Sequence, residues 1–421
     1  FRYGNPAAAV RNRQAYGLHF PVQAASVFLR RCEISRSYQH LLLLAPCLYA
    51  HCTIPGIYLQ AGNLPCSPNV VKKFIKFLFE SVITGGRIAV KKGECDWHMK
   101  NLEHHLLGKH PRIGFAEGAN PDVIRAAIRH VENGFILPVL IGHKKEILWH
   151  AKELGADISG VEIADMESFA NKAEMVSRML MIRRGDWTRE ACEDKLKDIN
   201  YFSTMYLELG YIDGLVGGVI ATTAETMRPA LQLIRTAENE RTVSSCVLLE
   251  RDNIHYIMGD CTLNVDPSVQ ELVEITLQCA RTARQFGIEP KVGILSYSSF
   301  GSGSGESVDK VRVVAEHLKR MPLDFAVDGE IQVDAAISPI VAKVKAPHSA
   351  IAGEMNTLIF PNIDAGNIGY KIAVELGGFT MFGPILQGLR KPVNILTRRA
   401  SVDTIYSIGI ITGVQAVENR S

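Results

Sequence analysis

A serine- and glycine-rich stretch provides the first residues that could bind a charged ligand. The segment YSSFGSGSGES, residues 297–307, follows the apolar run VGIL and precedes a helical pattern that begins near Glu306. Glycines let a backbone turn its N–H groups toward a ligand, serine hydroxyls add donors, and a helix N-terminus carries partial positive charge. The segment therefore predicts a phosphate-binding loop, with a solvated loop as the alternative. It lacks the lysine of a Walker-type loop and the spacing of a dinucleotide fingerprint.

Arginines provide the second set of candidate groups. Arg228 falls in the first turns of a helical segment at 222–236, and Arg398 lies in the segment GPILQGLRKPVNILTRRAS, residues 383–401. An arginine held in a rigid loop can clamp a phosphoryl oxygen or a developing oxyanion, because its guanidinium is planar and always charged. Most arginines are only surface charges, so residue types alone leave both interpretations open.

Alternating strand and helix patterns would position these groups. Strands are predicted at RIGFAEG, FILPVLIG, GLVGGVIA, SSCVLLE, HYIMGDC, KVGILSY, FAVDGEI and TLIFPNI, most of them followed by helical segments. Strand, helix and strand in repetition indicate an α/β protein with mostly parallel sheets and helices on both sheet faces. Ligands of such folds bind at the carboxyl ends of the strands, where the chain turns into a helix.

Two of the helices have clear sequence signals. Asn120 as N-cap, Pro121 at the first helical position and Gly134 after the last turn delimit one helix, whose apolar residues are Val123, Ala127 and Val131. The helix after the serine-rich stretch places apolar residues on one face, namely Val308, Val311, Val314 and Leu318. Both helices are therefore predicted to pack on a sheet.

Composition excludes several classes of protein. The 421 residues, 47% of them hydrophobic, suit about two globular domains. Residues 99–421 carry 34 Lys/Arg against 40 Asp/Glu, so they lack the basic field of a nucleic-acid binder. No Cys or His spacing predicts a zinc site. We expect a cytoplasmic protein whose cysteines at 192, 246, 261 and 279 are buried and reduced.

Residues 1–98 differ from the rest of the chain. They carry 12 Lys/Arg against 4 Asp/Glu, contain no methionine, and show no sustained period of 2 or 3.6. Their apolar patch LLLLAPCLYA, residues 41–50, is too short to span a bilayer. The first methionine is Met99, so we expect the protein to start there and residues 1–98 to be translated upstream sequence. A disordered targeting or regulatory arm is the alternative.

Residues 99–421 resemble the phosphate acetyltransferases (phosphotransacetylases) of the phosphate acetyl/butyryl transferase family. The similarity is carried by IDGLVGGVIATTAETMRPALQLIRT, GDCTLNVDPS, EPKVGILSYSSFGSGSGESVDKVR, DGEIQVDAAISPIVAKVKAP, LIFPNIDAGNIGYK and GPILQGLRKPVN. The resemblance implies a homodimer with two three-layer α/β domains, like those of isocitrate and isopropylmalate dehydrogenases, and an active site in the interdomain cleft. The first domain would comprise residues 99–240 and 384–421, and the second domain residues 241–383.

The resemblance also implies an activity. It is the reversible transfer of an acetyl group between coenzyme A and inorganic phosphate, with coenzyme A as a substrate and no tightly bound cofactor or metal. A phosphate acyltransferase for longer chains is one alternative. The other is a non-catalytic acetyl-CoA-binding module, which the related C-terminal domain of some malic enzymes is thought to be.

Family motifs assign roles by position. Arg398 stands at the arginine that steadies the phosphate and carbonyl oxygens, and Thr397 stands at the serine that helps the transition state. The positions that match substrate-binding residues are Gly301, Ser302, Gly303 and Ser304 of the phosphate-side loop, Arg228, and Arg183 in IRRGDW.

The segment NILTRRASVDTI departs from the family pattern, which reads NDLSRGCS followed by an aspartate and isoleucine. Ile395, Arg399 and Ala400 replace an aspartate, a glycine and a cysteine, and Thr404 occupies the position of the base that deprotonates coenzyme A. Asp403 lies one residue earlier, a rotation of about 100° on a helix. We predict that Asp403 replaces this base after a shift of the helix start. The alternatives are slow turnover without a positioned base and acyl-CoA binding without catalysis.

Overall fold

The structure, a computed structural model, describes residues 97–398 and 400–419. The hypothesis about residues 1–98 concerns a segment that lies almost wholly outside the described residues and stays a prediction. The strands of the described chain are β1 (Arg112–Phe115), β2 (Leu137–Gly142), β3 (Glu162–Asp165), β4 (Gly214–Gly217), β5 (Ser244–Arg251), β6 (Ile254–Gly259), β7 (Lys291–Leu295), β8 (Ala326–Ile331), β9 (Thr357–Ile359), β10 (Thr380–Gln387) and β11 (Val393–Ile395). The eight predicted strands are confirmed, whereas the sequence does not predict β3, β10 and β11.

These strands form two sheets. The first sheet has the order β11-β4-β1-β2-β3 and is parallel throughout. The second has the order β10-β5-β6-β9-β7-β8; its last four strands are parallel, and β10, β5 and β6 pair antiparallel. The predicted α/β class with mostly parallel sheets is therefore confirmed.

The described chain also forms thirteen α-helices and one π-helical turn, which lie between the strands or at the two ends of the described chain. The helices of the first half are α1 (Trp97–Leu106), α2 (Pro121–Asn133), α3 (Lys144–Glu153), α4 (Lys172–Arg183), α5 (Arg189–Lys195), α6 (Ile199–Glu208) and α7 (Thr223–Pro229), which continues as the π-helical turn Ala230–Ile234. The others are α8 (Val269–Gln285), α9 (Glu306–Lys319), α10 (Val333–Ile337), α11 (Pro339–Lys345), α12 (Ile363–Glu375) and α13 (Val402–Glu418).

Helix α2 forms where its sequence signals predict. The Asn120 side chain accepts hydrogen bonds from the backbone N–H groups of residues 122 and 123, and Gly134 ends the helix with a φ of 70°. A left-handed residue is the usual helix terminator, and glycine adopts it without steric cost. The apolar face differs from the prediction in one position, because Val131 is 40% exposed and His130 is buried instead.

The second sheet carries a different set of helices on each face. Helices α8 and α9 pack on one face, and all four predicted apolar residues of α9 are fully buried. Helices α10, α11 and α12 share a core cluster with the other side of the strands, through Ala335, Val341 and Tyr370. Successive residues of these strands therefore point alternately into two apolar layers, as expected for a sheet covered on both faces.

Two chain segments cross between the sheets. Residues 235–243 lead from the π-helical turn to β5, and residues 388–392 lead from β10 back to β11. The crossings are hydrogen bonded to each other: the Arg390 N–H donates to the Arg235 carbonyl (3.0 Å), and the Ala237 N–H donates to the Gly388 carbonyl (3.0 Å). The C-terminal segment thus returns to the first sheet, where α13 packs against α1 and α2.

The predicted burial of four cysteines is confirmed. Cys192, Cys246, Cys261 and Cys279 are free thiols in the core, and burial raises the pKa of the Cys261 thiol well above its usual value. Among the described residues, no helix is long and apolar enough to cross a membrane. The same residues contain no cluster of His, Cys, Asp and Glu that could hold a metal ion.

Candidate active site

The first group of candidate residues lies where β4 leads into α7. Thr222 is the N-cap of α7 and forms a capping box with Glu225: the Thr222 N–H donates to the Glu225 carboxylate (2.8 Å), and the Glu225 N–H donates to the Thr222 hydroxyl (3.3 Å). The reciprocal bonds satisfy two N–H groups that a helix start leaves open. Arg228, one turn further along this short helix, has an exposed side chain.

The segment after β11 brings Arg398 to the same place. The Leu396 N–H donates to the Gly217 carbonyl (2.7 Å), which extends the pairing of β11 with β4 by one residue toward Arg398. The pKa of Glu225 lies below its usual value, first because the Thr222 N–H and hydroxyl bond to its carboxylate, and further because Arg228 and Arg398 lie close to it. The structure therefore places the two predicted arginines at the carboxyl edge of the first sheet, both near Glu225.

Both arginine side chains are exposed and near the Glu225 carboxylate. Neither the Arg228 nor the Arg398 guanidinium forms a hydrogen bond or ion pair with another residue in the part of the chain that the structure describes. Two cations beside a single carboxylate leave a net positive charge at an exposed site. The two guanidinium groups can therefore donate hydrogen bonds to an anionic ligand such as a phosphoryl group.

Helix α13 directs Asp403 and Thr404 to different neighbours. The Thr404 N–H donates to the hydroxyl of the N-cap Ser401 (3.2 Å), and the two hydroxyls lie 3.0 Å apart. The Asp403 carboxylate instead accepts a hydrogen bond from Arg129 of α2 (2.8 Å) and is 54% exposed. The base role of Asp403 stays a prediction, and in this conformation its carboxylate is engaged by Arg129.

The serine- and glycine-rich loop follows β7, at the carboxyl end of a strand in the second sheet. Its backbone turns inward onto Glu330, which is 2% exposed: the Gly301 N–H (2.8 Å) and the Ser298 hydroxyl (2.9 Å) both donate to the Glu330 carboxylate. The Gly303 N–H donates to the Ser298 hydroxyl (2.9 Å), and the Ser302 hydroxyl accepts from the Ser299 N–H (2.9 Å).

These bonds alter the expected use of the loop. The N–H groups of Gly301 and Gly303, which the sequence assigns to a phosphate, already have acceptors within the protein. Ser304 differs: its carbonyl accepts from the Tyr297 hydroxyl (2.8 Å), and its own hydroxyl has no hydrogen-bond partner among the described residues. Substrate contacts of Gly301, Ser302 and Gly303 stay predictions, and Ser304, two residues before α9, has a hydroxyl left for a ligand.

Arg312 of α9 completes this arrangement. Its Nε (2.9 Å) and Nη2 (3.1 Å) donate to the Glu330 carboxylate. Burial alone would raise the pKa of Glu330, but Arg312, the Gly301 N–H and the Ser298 hydroxyl together hold it below its ordinary value of 4.5. These donors stabilise the buried negative charge of Glu330, and their hydrogen bonds to it fix the conformation of the serine-rich loop.

Replacing Arg312 with Met should destabilise the protein, because Glu330 would keep its burial and lose its cation. We expect a lower melting temperature, with a smaller loss than for a fully buried pair because the Arg312 side chain stays 38% exposed. The stabilisation by the Glu330 carboxylate is present above pH 4.5 and is lost as the pH falls through its lowered pKa. Thermal unfolding of Arg312→Met should therefore converge on the wild type at acid pH. A second change, Glu330→Gln, should restore part of the loss at neutral pH; no recovery would contradict the assignment.

Other predicted residues are not brought to the arginine pair. Arg183 ends α4 with its guanidinium on Asp186 (2.7 Å) and over the Trp187 ring (4.9 Å). The end of α4 lines a pocket with Arg235 and Arg390 of the two crossing segments, before β11 rather than after it, where Arg398 lies. Within the described chain, no hydrogen bond or ion pair joins the arginine pair to the serine-rich loop, which belongs to the second sheet.

Sequence reasoning missed two buried carboxylates that shape the site. Glu330 holds the serine-rich loop, and Glu117, 7% exposed, accepts hydrogen bonds from the loop between β4 and α7. Glu117 lies two residues after β1 and before a glycine, in AEG, whereas Glu330 lies inside β8 and after a glycine, in DGEI. An acidic residue next to a glycine at the carboxyl end of an apolar strand was the available signal.

Comparisons with known proteins agree over most of the chain. Residues 98–413 match the family model described as phosphate acetyl/butaryl transferase. The phosphate acetyltransferase of Bacillus subtilis (strain 168) is 40% identical over 316 residues, which cover 75% of this chain and 98% of that protein. The phosphate acetyltransferase of Staphylococcus aureus (strain MSSA476) is 38% identical over 321 residues, with the same coverage of both chains.

Solved structures give the same result. A phosphotransacetylase from Streptococcus pyogenes has a TM-score of 0.74 and 42% identity, covering 76% of this chain and 98% of that one. The EutD phosphotransacetylase from Staphylococcus aureus has a TM-score of 0.72 and 37% identity, covering 77% and 100%. A branched-chain phosphotransacylase from Enterococcus faecalis V583, at 17% identity and a TM-score of 0.55, shares the fold.

Proposed function

The chain belongs to the phosphate acetyl/butaryl transferase family, and we propose that it is a phosphate acetyltransferase whose reaction takes place at Arg228 and Arg398. The reaction is CoA plus acetyl phosphate giving acetyl-CoA plus inorganic phosphate, in either direction. The observation that carries the proposal is the pair of arginines that form no ion pair within residues 97–398 and 400–419, held at the carboxyl ends of β4 and β11. No finding favours the non-catalytic acetyl-CoA-binding alternative.

The arginine pair suits the charge that moves in this reaction. The thiolate of coenzyme A attacks the carbonyl carbon of acetyl phosphate, the C–S bond forms, and the C–O bond to phosphate breaks as phosphate leaves. Arg398 stabilises the carbonyl oxygen as it becomes negative, and Arg228 holds the phosphoryl oxygens. The exposed hydroxyl of Thr397, next in the chain to Arg398, donates to the same developing charge. Ser304 of the serine-rich loop contacts the substrate from the second sheet.

The attack requires a thiolate, because a free thiol with a pKa near 8.5 is only partly ionised at neutral pH. We propose Asp403 as the base that accepts the thiol proton. Its carboxylate must leave Arg129 to do so, since the two are bonded in this structure. The reaction should therefore be slower than in family members that carry an aspartate at the position of Thr404.

A direct assay tests the function. The protein without residues 1–98 and the full chain are each mixed with coenzyme A and acetyl phosphate, and thioester formation is followed by ultraviolet absorbance. We expect acetyl transfer by both forms, with acetyl phosphate preferred over butyryl phosphate. Binding of acetyl-CoA without any turnover in either direction would contradict the enzyme assignment, and a preference for butyryl phosphate would contradict the acetyl specificity.

We further propose two domains with the active site in the cleft between them. The first domain comprises residues 99–240 and 384–421, and the second comprises residues 241–383, with one adjustment. Because β10 continues in the second sheet to Gln387, the return crossing lies at 388–392 rather than at 384. The proposed location is the cytoplasm, where coenzyme A is available as substrate and cysteines stay reduced.

A homodimer is proposed, and the second sheet offers a surface for it. Helices α11 and α12, with the residue that ends α12, expose apolar residues at helical spacing, namely Ile340 (81%), Val344 (81%), Ile368 (57%), Ile372 (53%) and Leu376 (84%). Both helices belong to the same face of the second sheet. Stripes this apolar on a soluble protein mark an interface, and a two-fold axis would pair the face with its own copy.

Charges placed on this face should separate the subunits. The double substitution Val344→Asp and Leu376→Asp is expected to halve the mass measured by light scattering after size-exclusion chromatography, because two unpaired carboxylates would have to be desolvated. The matched control is Val313→Asp on α9, whose side chain is also exposed but lies on the opposite face. An unchanged mass in the double variant would exclude this face as the interface.

A further inference from the structure

Glu117 lies two residues after β1, in an unusual backbone conformation. Its φ of 58° is in the left-handed region, which non-glycine residues seldom adopt. Two hydrogen bonds hold this kink: the Asn120 N–H donates to the Glu117 carbonyl (2.8 Å), and the Gly118 N–H donates to the Ile141 carbonyl (2.9 Å). The kink turns the Glu117 side chain beneath the loop that follows β4, the neighbouring strand.

The Glu117 carboxylate accepts three consecutive backbone N–H groups of that loop. Val219 donates to Oε2 (2.6 Å), Ala221 donates to Oε1 (2.7 Å), and Ile220 lies between them at 3.1 and 3.2 Å from the two oxygens. Three converging N–H groups form the kind of nest that binds anions. Here an internal carboxylate fills the nest, so its effect is on the loop rather than on a ligand.

Residues 218–222, the clamped loop, connect both arginines of the proposed site. On one side, a Cβ on Gly218 (φ 93°) would lie 3.1 Å from the Leu396 carbonyl oxygen, two residues before Arg398. On the other side, it would lie 3.3 Å from the Thr226 hydroxyl of α7, the helix that carries Arg228. The clamped loop is thus packed between the two segments, and a shift of the loop must displace at least one of them.

We propose that Glu117 is a positioning residue of the transfer reaction, which holds the clamped loop and thereby sets the separation of Arg228 and Arg398. This inference rests on the proposed function. Glu117 does not touch the reacting groups. By holding the clamped loop, it keeps both guanidinium groups within reach of the same phosphoryl and carbonyl oxygens. A displacement of about 1 Å is enough to lower the rate of a reaction that depends on this geometry.

The substitution Glu117→Gln tests the clamp with little change in shape. Each carboxylate oxygen accepts from two N–H groups, so either orientation of the amide places an NH₂ donor against donors. We expect kcat to fall by about 10- to 100-fold while the KM for coenzyme A changes by less than about 3-fold. The matched control is Glu162→Gln, an exposed carboxylate on β3 of the same sheet, which should keep wild-type kinetics.

Two further measurements separate this inference from the proposed function. Calorimetry of inorganic phosphate binding reports on the geometry of the arginine pair without any turnover. The affinity for phosphate should fall by about 10-fold in Glu117→Gln. Phosphate binding that depends on Glu117 in a protein without acetyl transfer would overturn the function and keep the positioning role. Normal acetyl transfer, with kcat and phosphate affinity unchanged in Glu117→Gln, would overturn the positioning role and keep the function.

If Glu117→Gln does not fold, amide hydrogen exchange of the wild-type protein still tests the clamp. The amides of residues 219–221 should exchange much more slowly than the intrinsic rate of an unprotected backbone amide, because the carboxylate protects them. Fast exchange at 219–221 would show that the clamp is not held in solution, and would overturn the inference without any variant.

Discussion

Replacing Arg398 with Gln should lower kcat by about 10²- to 10³-fold, the effect of removing one strong donor from a developing oxyanion. The expected loss is large because Arg398 forms no ion pair with any described residue, so its charge is available to the substrate. The KM for coenzyme A should change little, since Arg398 acts on oxygens that become negative during the reaction. Steady-state kinetics in both directions would measure the two parameters separately.

Two companion variants sharpen this test. Arg398→Lys keeps the positive charge but loses the planar fork, and should recover only a minor part of the rate. Arg125→Gln removes an exposed arginine of α2 whose ion-pair partner among the described residues is Asp122, and should leave kcat unchanged. Equal rates for Arg398→Gln and Arg125→Gln would remove Arg398 from the mechanism. Thermal unfolding should be similar for all three variants, because Arg398 holds no described part of the fold together.

The sequence predicts the fold well where apolar runs are long. Strands β5 and β7 are nearly continuous apolar segments bounded by polar residues, and such runs form strands almost regardless of their surroundings. The missed strands lack this signal: β11 has three residues, and β10 is interrupted by Gly383 and Pro384, where its register with β5 shifts. They become strands because neighbouring strands offer hydrogen-bonding partners, which no local pattern contains.

The candidate site was predictable in part for a similar reason. Ligand-binding residues at the carboxyl ends of parallel strands follow from topology, and Arg228 and Arg398 are found there together. The direction of a backbone N–H does not follow from composition. The N–H of Gly301 points to Glu330, 29 residues later, and the clamped loop points to Glu117, more than 100 residues earlier. Such long-range hydrogen bonds decide whether a glycine-rich turn is open to an anion or already filled.

Helical periodicity allows the direction of one pair of side chains to be predicted from the sequence. Asp403 and Thr404 are adjacent on α13, and a rotation of about 100° separates them. The structure places the Asp403 carboxylate on Arg129 of α2 and the Thr404 hydroxyl beside Ser401 at the helix start. A carboxylate at position 403 therefore does not inherit the direction of a side chain at position 404.

The substitution Thr404→Asp should raise kcat by about 10²-fold, the low end of what a positioned general base contributes. Residue 404 lies in the first turn of α13, close in sequence to Arg398, and the helix N-terminus favours a negative charge there. The new carboxylate would lie beside Ser401, away from Arg129, and would be open to the thiol of coenzyme A. The pH profile of kcat should gain an acid limb as this carboxylate titrates.

Asp403→Asn identifies which carboxylate serves as the base. In the wild-type background it should lower kcat if Asp403 leaves Arg129 to accept the thiol proton, and it should have little effect once Thr404→Asp is present. Thr404→Asn is the matched control, because it adds the same bulk without a charge and should not raise kcat. If Thr404→Asp and Thr404→Asn give the same rate, proton removal from the thiol does not limit turnover. The slow step would then lie in the arrangement of Arg228 and Arg398 around the substrate.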